Sequence, residues 1–281
     1  MKITDPNQLK NYLRARSLKP KDYLGQNFLI DEQVLDEIVA TADLKPTDVV
    51  LEVGPGLGVL TGELASRVKE VFAIEKDPKL VAMLKHEFAG DKKVKIINED
   101  ILRFHIARNI LSEYKVVANI PYYLTSKLLQ TFLESEHPPK SMVLMIQKEV
   151  GERVIAEVGE LSILGISVQV YADVEISANV SKDSFWPVPK VDSVVIKVTP
   201  KDKYPEIKDK KLFFRIIKVA FAGKRKQIQN SLAHGLHLNK QEINEILHKS
   251  GIEQTARPQD VSIPQWISLY KVILLDKNPK V

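Results

Sequence analysis

Asp48-Val49-Val50-Leu51-Glu52-Val53-Gly54-Pro55-Gly56-Leu57-Gly58 is the stretch on which the fold turns. Its first six residues are rich in β-branched side chains and predict a strand. Glycines then occupy every second position, where a chain leaving a strand must turn tightly and where backbone can approach a ligand closely. A helical pattern follows over Leu57–Arg67. Strand, glycine turn and helix in that order open a βαβ unit, and in open α/β sheets ligands sit at the carboxyl ends of the strands. The spacing is G-x-G-x-G, which departs from the G-x-G-x-x-G of dinucleotide sites.

Outward from this stretch the alternation continues. Val71–Ile74, Val94–Ile97, Lys115–Ala118 and Ser141–Ile146 read as strands, and Pro78–Phe88 and Tyr123–Leu133 as helices. Such alternation implies a parallel sheet covered on both faces. Val174–Val180 and Ser193–Val198 are β-like with no long helix between them, so an antiparallel addition at the sheet edge is expected. Thr199–Lys211 is polar, carries two prolines and reads as a linker. Beyond it Leu212–Ala222, Arg225–His234, Lys240–Lys249 and Pro264–Leu274 are helical in pattern. The expected domains are therefore 1–200 and 201–281.

Composition narrows the class. Of 281 residues, 44% are hydrophobic and 27% charged, the profile of a globular protein. With no cysteine, disulfides and Cys-based metal sites are excluded. The six histidines show no ligand grouping, and no metal is expected. No stretch approaches the ~20 apolar residues that a bilayer span needs, so no membrane partner is expected. The net charge of +5 is uneven: +4 over residues 1–26, −7 over 27–200 and +8 over 201–281. Basic ends around an acidic middle attract polyanions, of which nucleic acid is the usual one.

Three further strand ends carry chemistry. Glu75 closes the second strand, where a carboxylate can accept from both hydroxyls of a ribose. Asp100 and Ile101 follow the third strand, an acceptor for an exocyclic amine beside an apolar wall. Together with the glycines they describe a nucleoside pocket. The fourth strand ends in Asn119-Ile120-Pro121-Tyr122. Asn119 Oδ1 and the carbonyls of Ile120 or Pro121 can accept from amino protons, Pro121 stiffens the loop, and Tyr122 can stack on a base. Neither phosphate binding nor hydride transfer uses such a tetrapeptide.

At these residues the chain resembles the ribosomal RNA adenine dimethyltransferases. The resemblance begins at Leu24-Gly25-Gln26-Asn27-Phe28-Leu29, runs through the glycine loop, Glu75, Asp100 and Asn119–Tyr122, and includes Phe185-Trp186-Pro187-Val188-Pro189-Lys190-Val191-Asp192-Ser193. It ends with Phe221-Ala222-Gly223-Lys224-Arg225-Lys226 and Asn230-Ser231-Leu232. It implies an α/β fold: a Rossmann-like class I methyltransferase sheet, mostly parallel with an antiparallel edge strand, plus a small helical C-terminal domain. It implies S-adenosyl-L-methionine as methyl donor, contacted by Asn27, Leu29, Gly54, Gly56, Glu75, Asp100, Ile101 and Asn119. Asn119–Tyr122 would hold the target amine, and Phe185 would face the base opposite Tyr122.

The substrate so implied is small-subunit ribosomal RNA, at two adjacent adenines of a 3′-end hairpin loop, with a role in small-subunit biogenesis. The protein is expected to be cytoplasmic and monomeric, with Lys224, Arg225 and Lys226 contacting RNA. Lys10, Arg14, Arg16, Lys19, Lys21 and Lys218 add basic side chains. One segment departs from the family pattern: only Val154–Glu160 intervenes before Leu161-Ser162, so no RNA contact is carried over there. Two other readings stay open. One is a large-subunit methylase of the erythromycin-resistance type. The other is an assembly factor whose catalysis is dispensable.

Overall fold

A computed structural model describes residues 5–223 and 226–275. The chain divides into two compact units, Met1–Gly151 with Ala172–Pro200, and Glu152–Tyr171 with Lys201–Val281. The division expected at 200/201 differs in one respect, because residues 152–171 group with the C-terminal unit.

In the first unit α1 (Pro6–Ala15), β1 (Phe28–Leu29) and α2 (Glu32–Thr41) precede the glycine turn. Then come β2 (Val49–Val53), α3 (Val59–Arg67), β3 (Glu70–Glu75), α4 (Pro78–Glu87), β4 (Val94–Asn98), α5 (Ile106–Asn109), β5 (Lys115–Asn119), α6 (Thr125–Leu133) and β6 (Ser141–Gln147). The helix α7 (Lys148–Ile155) leads into the second unit, where α8 (Ile163–Gln169) lies. The chain returns to the first unit as β7 (Ala172–Val180), β8 (Phe185–Trp186) and β9 (Ser193–Pro200). The rest of the second unit is α9 (Lys210–Phe221), α10 (Ile228–Leu236), α11 (Lys240–Lys249) and α12 (Ile263–Leu275).

The main sheet runs β4-β3-β2-β5-β6-β9-β7. The first five strands pair in parallel, and β9 pairs antiparallel with both β6 and β7. The antiparallel addition is thus present at the expected edge, with the last strand inserted between β6 and β7. All five residues of β2 are buried, whereas in edge strand β4 Lys95 and Asn98 are exposed and the rest only half-buried. A sheet covered on both faces buries its central strands on both sides and leaves its rims wet. The order reverses between β2 and β5, which opens a crevice at the carboxyl ends of these strands.

Two features owe nothing to local pattern. The two-residue strands β1 and β8 pair with each other, Phe28 opposite Trp186 and Leu29 opposite Phe185. Helix α2 is capped by Asp31, whose side chain accepts from the Gln33 and Val34 N–H groups and also from Ser184 Oγ at 2.8 Å. A cap that also reaches the segment before β8 ties the N-terminal region to a distant part of the chain.

The second unit has its own core, in which Phe213, Ile217, Leu232, Leu247, Trp266 and Tyr270 are buried together with Leu161 and Ile166. That shared core is why 152–171 belongs with it.

Candidate active site

The glycine loop shows why glycines are required. Gly54, Gly56 and Gly58 have φ of +67°, +58° and +82°, a region that side-chain-bearing residues rarely adopt. At Gly58 a Cβ would also sit 2.8 Å from Leu84 and Phe88. At Gly54 it would have only ordinary contacts, the nearest being Pro121 at 3.7 Å. Gly58 therefore serves packing, while Gly54 and Gly56 keep backbone bare beside the crevice.

Glu75 ends β3 nearly buried, and its carboxylate accepts from Asp77 N–H at 2.8 Å and Gly56 N–H at 3.4 Å. Burial pushes its pKa up, and the two backbone donors pull against that. Asn98 Nδ2 donates to the Glu75 carbonyl at 3.0 Å, which fixes the ends of β3 and β4 against each other. Asp100 accepts from Lys76 Nζ at 2.9 Å and Leu102 N–H at 3.0 Å. Burial would raise its pKa, but Lys76 and the backbone donor hold it below the usual range. Its carboxylate is thus partnered by a lysine, which the strand pattern did not reveal. Ile101 beside it is buried.

Beyond β5, Ile120 N–H donates to the Met145 carbonyl at 3.2 Å, and the Pro121 carbonyl accepts from Leu124 N–H at 2.9 Å. Of these two backbone carbonyls, that of Ile120 is therefore the less committed. Asn119 Nδ2 donates to the Asn27 carbonyl at 3.4 Å. Tyr122 OH and Ser193 Oγ are 2.8 Å apart, a hydrogen bond that tethers the ring from its polar end. Gly25, with φ +64°, turns directly against Pro121: a Cβ there would lie 3.3 Å from the proline ring.

One cleft is lined by all of the expected residues: Asn27 and Leu29, Gly54 and Gly56, Glu75, Asp100 and Ile101, Asn119–Tyr122, and Phe185. Phe185 borders it from below. Only 1% exposed, it packs in the core with Leu35 and Ile38, so a base could meet this ring only at the cleft floor. The sequence leaves several cleft residues unassigned, Glu52, Gln26 and Lys76 among them. Glu52 is fully buried under the glycine loop, its carboxylate accepting from Thr61 Oγ1 at 2.6 Å, and burial pushes its pKa up to about 8. Gln26 and Lys76 also line the cleft. Nothing in local sequence marks a cleft-lining lysine, and Glu52 reads as one more residue of a strand.

The cleft fits an adenosyl methyl donor. A bare backbone turn, a nearly buried carboxylate two strands wide of Asn119, and the apolar walls of Leu29 and Ile101 suit the amino-acid, ribose and base portions of one ligand. Among the described residues no group of three or more His, Asp or Glu side chains could hold a metal ion. No helix among them is long and apolar enough to cross a membrane.

The basic side chains divide. Lys224 and Arg225 lie outside the described residues, and Lys226 is exposed. Arg16 covers the Tyr12 ring at 3.7 Å, and Lys10 lies 5.9 Å from the Trp186 ring. Lys21 is not a free cation: its Nζ is 2.7 Å from Asp77 Oδ2.

Comparison with known proteins agrees with this geometry. The family model for ribosomal RNA adenine dimethylase matches residues 17–274. The ribosomal RNA small subunit methyltransferase A of Dehalococcoides mccartyi is 40% identical over 97% of this chain and 94% of its own length. That of Alkaliphilus metalliredigens is 38% identical over 97% of this chain and 98% of its own. Among solved structures, a dimethyladenosine transferase from Plasmodium falciparum superposes with a TM-score of 0.75 at 26% identity, covering 86% of this chain and 95% of that one. The 23S rRNA methyltransferase ErmE superposes with a TM-score of 0.70 at 28% identity, covering 88% and 99%. With a glycine loop, a buried strand-end glutamate and Asn119–Tyr122 around one cleft, and a family match over nearly its whole length, the chain belongs to the ribosomal RNA adenine dimethylases.

Proposed function

We infer that this protein transfers methyl groups from S-adenosylmethionine to the N6 amines of adenines in small-subunit ribosomal RNA, forming dimethyladenosine. The observation that carries the reading is the placement of Asn119–Tyr122 on the same cleft as the glycine loop and Glu75. The small-subunit assignment is supported by relatives of that name at 38–40% identity along nearly the whole chain.

The donor supplies an electrophilic methyl on a sulfonium. Gly54 and Gly56 admit it against bare backbone, and Glu75 accepts from its ribose. Asp100, steadied by Lys76, takes the adenine amine, with Ile101 and Leu29 against the apolar faces. On the acceptor side, Asn119 is held through its amide nitrogen to Asn27, so its Oδ1 is the atom left to accept from the target amine. The Ile120 carbonyl is the second acceptor. Two acceptors draw the amino protons away from the ring plane and leave the nitrogen lone pair directed into the cleft. Tyr122 stacks on the extruded base, at roughly 1–3 kcal/mol per base. Positioning is the main contribution. No side chain need remove a proton beforehand, because the amine becomes acidic only once alkylated.

The partners are the small ribosomal subunit and its RNA, with two adjacent adenines of a 3′-end hairpin loop as targets. The protein acts as a cytoplasmic monomer without a metal, its basic ends supplying affinity for phosphate. Reaction of the pure protein with unmethylated small and large subunits, followed by mass-spectrometric mapping of methyladenines, tests this. Dimethyladenosine confined to the large subunit would transfer the assignment to the erythromycin-resistance type. Normal subunit maturation with an inactive variant would instead give the assembly role precedence.

A further inference from the structure

Asp77 lies two residues beyond Glu75 and is buried, 3% exposed. Its Oδ1 caps α4 through Lys79 N–H at 3.1 Å. Its Oδ2 accepts from Lys21 Nζ at 2.7 Å and from Gln26 Nε2 at 3.2 Å. Gln26 Oε1 in turn accepts from Lys21 N–H at 2.8 Å, so Lys21, Gln26 and Asp77 close a ring of hydrogen bonds. The Asp77 N–H meanwhile donates to Glu75 Oε1. One short loop thus serves two purposes: its backbone aims Glu75 into the cleft, and its side chain grips the segment that forms the opposite wall.

That segment needs a grip. Leu18 packs against the small core of Leu9, Leu13, Phe28 and Leu80, but the polar Lys19 and Lys21 that follow border a second cavity of about 350 Å³ together with Gln26 and Asp77. Yet the next residues, Gly25 to Leu29, line the donor cleft, turn against Pro121 and pin Asn119. Where apolar burial is scarce, segment order rests on polar ties, and a buried carboxylate bonded to a charged partner is a strong one.

We propose that Asp77 is a positioning residue that latches residues 21–29 over the methyl-donor cleft through Lys21 and Gln26, coupling closure of that segment to donor binding at Glu75. The proposal rests on the methyl-donor reading of the cleft. Because coupling is reciprocal, donor occupancy tightens the segment and loosening the segment weakens the donor.

The test uses S-adenosylhomocysteine as a non-reactive probe on the full-length protein. Titration calorimetry gives its affinity, and amide hydrogen exchange follows residues 17–29. In the unaltered protein the probe should slow exchange across this segment. Lys21→Met, at a partly exposed side chain outside the core, should weaken the probe by about tenfold. It should also speed exchange in 17–29, raise the donor KM more than it lowers kcat, and lower the melting temperature, since the buried Asp77 carboxylate loses its cation. Lys21→Arg should restore affinity and protection. Asp77→Asn, which keeps a side chain able to cap α4, should behave as Lys21→Met. Unaltered probe affinity and exchange in Lys21→Met, with the parent protein binding normally, would overturn the latch alone. Failure of the parent protein to bind the probe would remove the donor reading and the latch with it.

Discussion

The side-chain amide of Asn119 donates to the backbone carbonyl of Asn27 at 3.4 Å, joining the end of β5 to the segment leading into β1. An amide held by its nitrogen presents its oxygen elsewhere, and among the described residues that oxygen has no donor of its own. The N-terminal segment therefore orients the group proposed to meet the target amine.

Asn119→Ala removes this acceptor. Turnover should fall about 10²–10³-fold, the usual cost of losing one oriented polar group that acts in the transition state. Donor affinity should weaken far less, since Glu75 and the glycine loop remain. Single-turnover methylation assays beside donor calorimetry would check this; near-normal turnover would remove Asn119 from its role.

Tyr122 separates stacking from tethering. Tyr122→Phe loses only the hydrogen bond with Ser193 and should stay within about threefold of the parent in kcat/KM for RNA, as expected for one partly solvated hydrogen bond. Tyr122→Ala loses the ring and should fall by about 10- to 100-fold. Equal losses in both variants would mean that the hydroxyl tether, and not the ring, matters.

Glu52 makes stability depend on pH. The unfolded chain holds this proton with an ordinary pKa of 4.5, and the folded chain with a pKa pushed up to about 8. Between these values the folded state binds more protons, so its stability is greatest at the acid end and declines as pH rises toward 8. The slope is on the order of 1 kcal/mol per pH unit. Glu52→Gln should make it shallower, the remainder coming from Glu75, whose pKa burial also raises. Asp77 and Asp100, held below the usual range, act in the opposite sense: what they add is present above their ordinary pKa of 3.8 and lost as pH falls further. Urea midpoints from pH 5 to 8 on the donor-free protein and on Glu52→Gln would distinguish the two; a parallel decline in both would free Glu52 of this role.

RNA affinity should fall steeply with salt. Arg14, Lys19 and Lys226 are exposed, and each phosphate left without its cation should reduce the slope of log affinity against log salt by about 0.7–0.9. Replacing all three with alanine should lower it by roughly 2–3. Anisotropy titrations of an unmethylated ribosomal RNA hairpin at several salt concentrations would show this, and an unchanged slope would place the phosphate-binding surface elsewhere.

What could be read in advance follows from how local each feature is. The βα alternation, the glycine turn and the strand-end carboxylates depend on near neighbours, and they appear where the pattern puts them. The β1–β8 pair escaped because two-residue strands carry no periodicity, and their pairing joins residues far apart in sequence. Grouping 152–171 with the C-terminal unit depends on Leu161 and Ile166 finding a core made of later helices. Lys21 reads as a surface cation and Lys76 goes unmarked, since charge alone does not disclose a partner such as Asp77 or Asp100. Phe185 was legible as a cleft residue, but its depth was not, because burial is set by α2 packing over it.

The β1–β8 pair also bears on how the protein is made. A nascent chain that has emerged only as far as α7 already contains every glycine and carboxylate of the donor loop, but Leu29 still awaits its opposite number Phe185. Closing so long a loop is slow and comes late. A newly synthesised molecule therefore completes the cleft proposed for the methyl donor only after most of its length has left the ribosome.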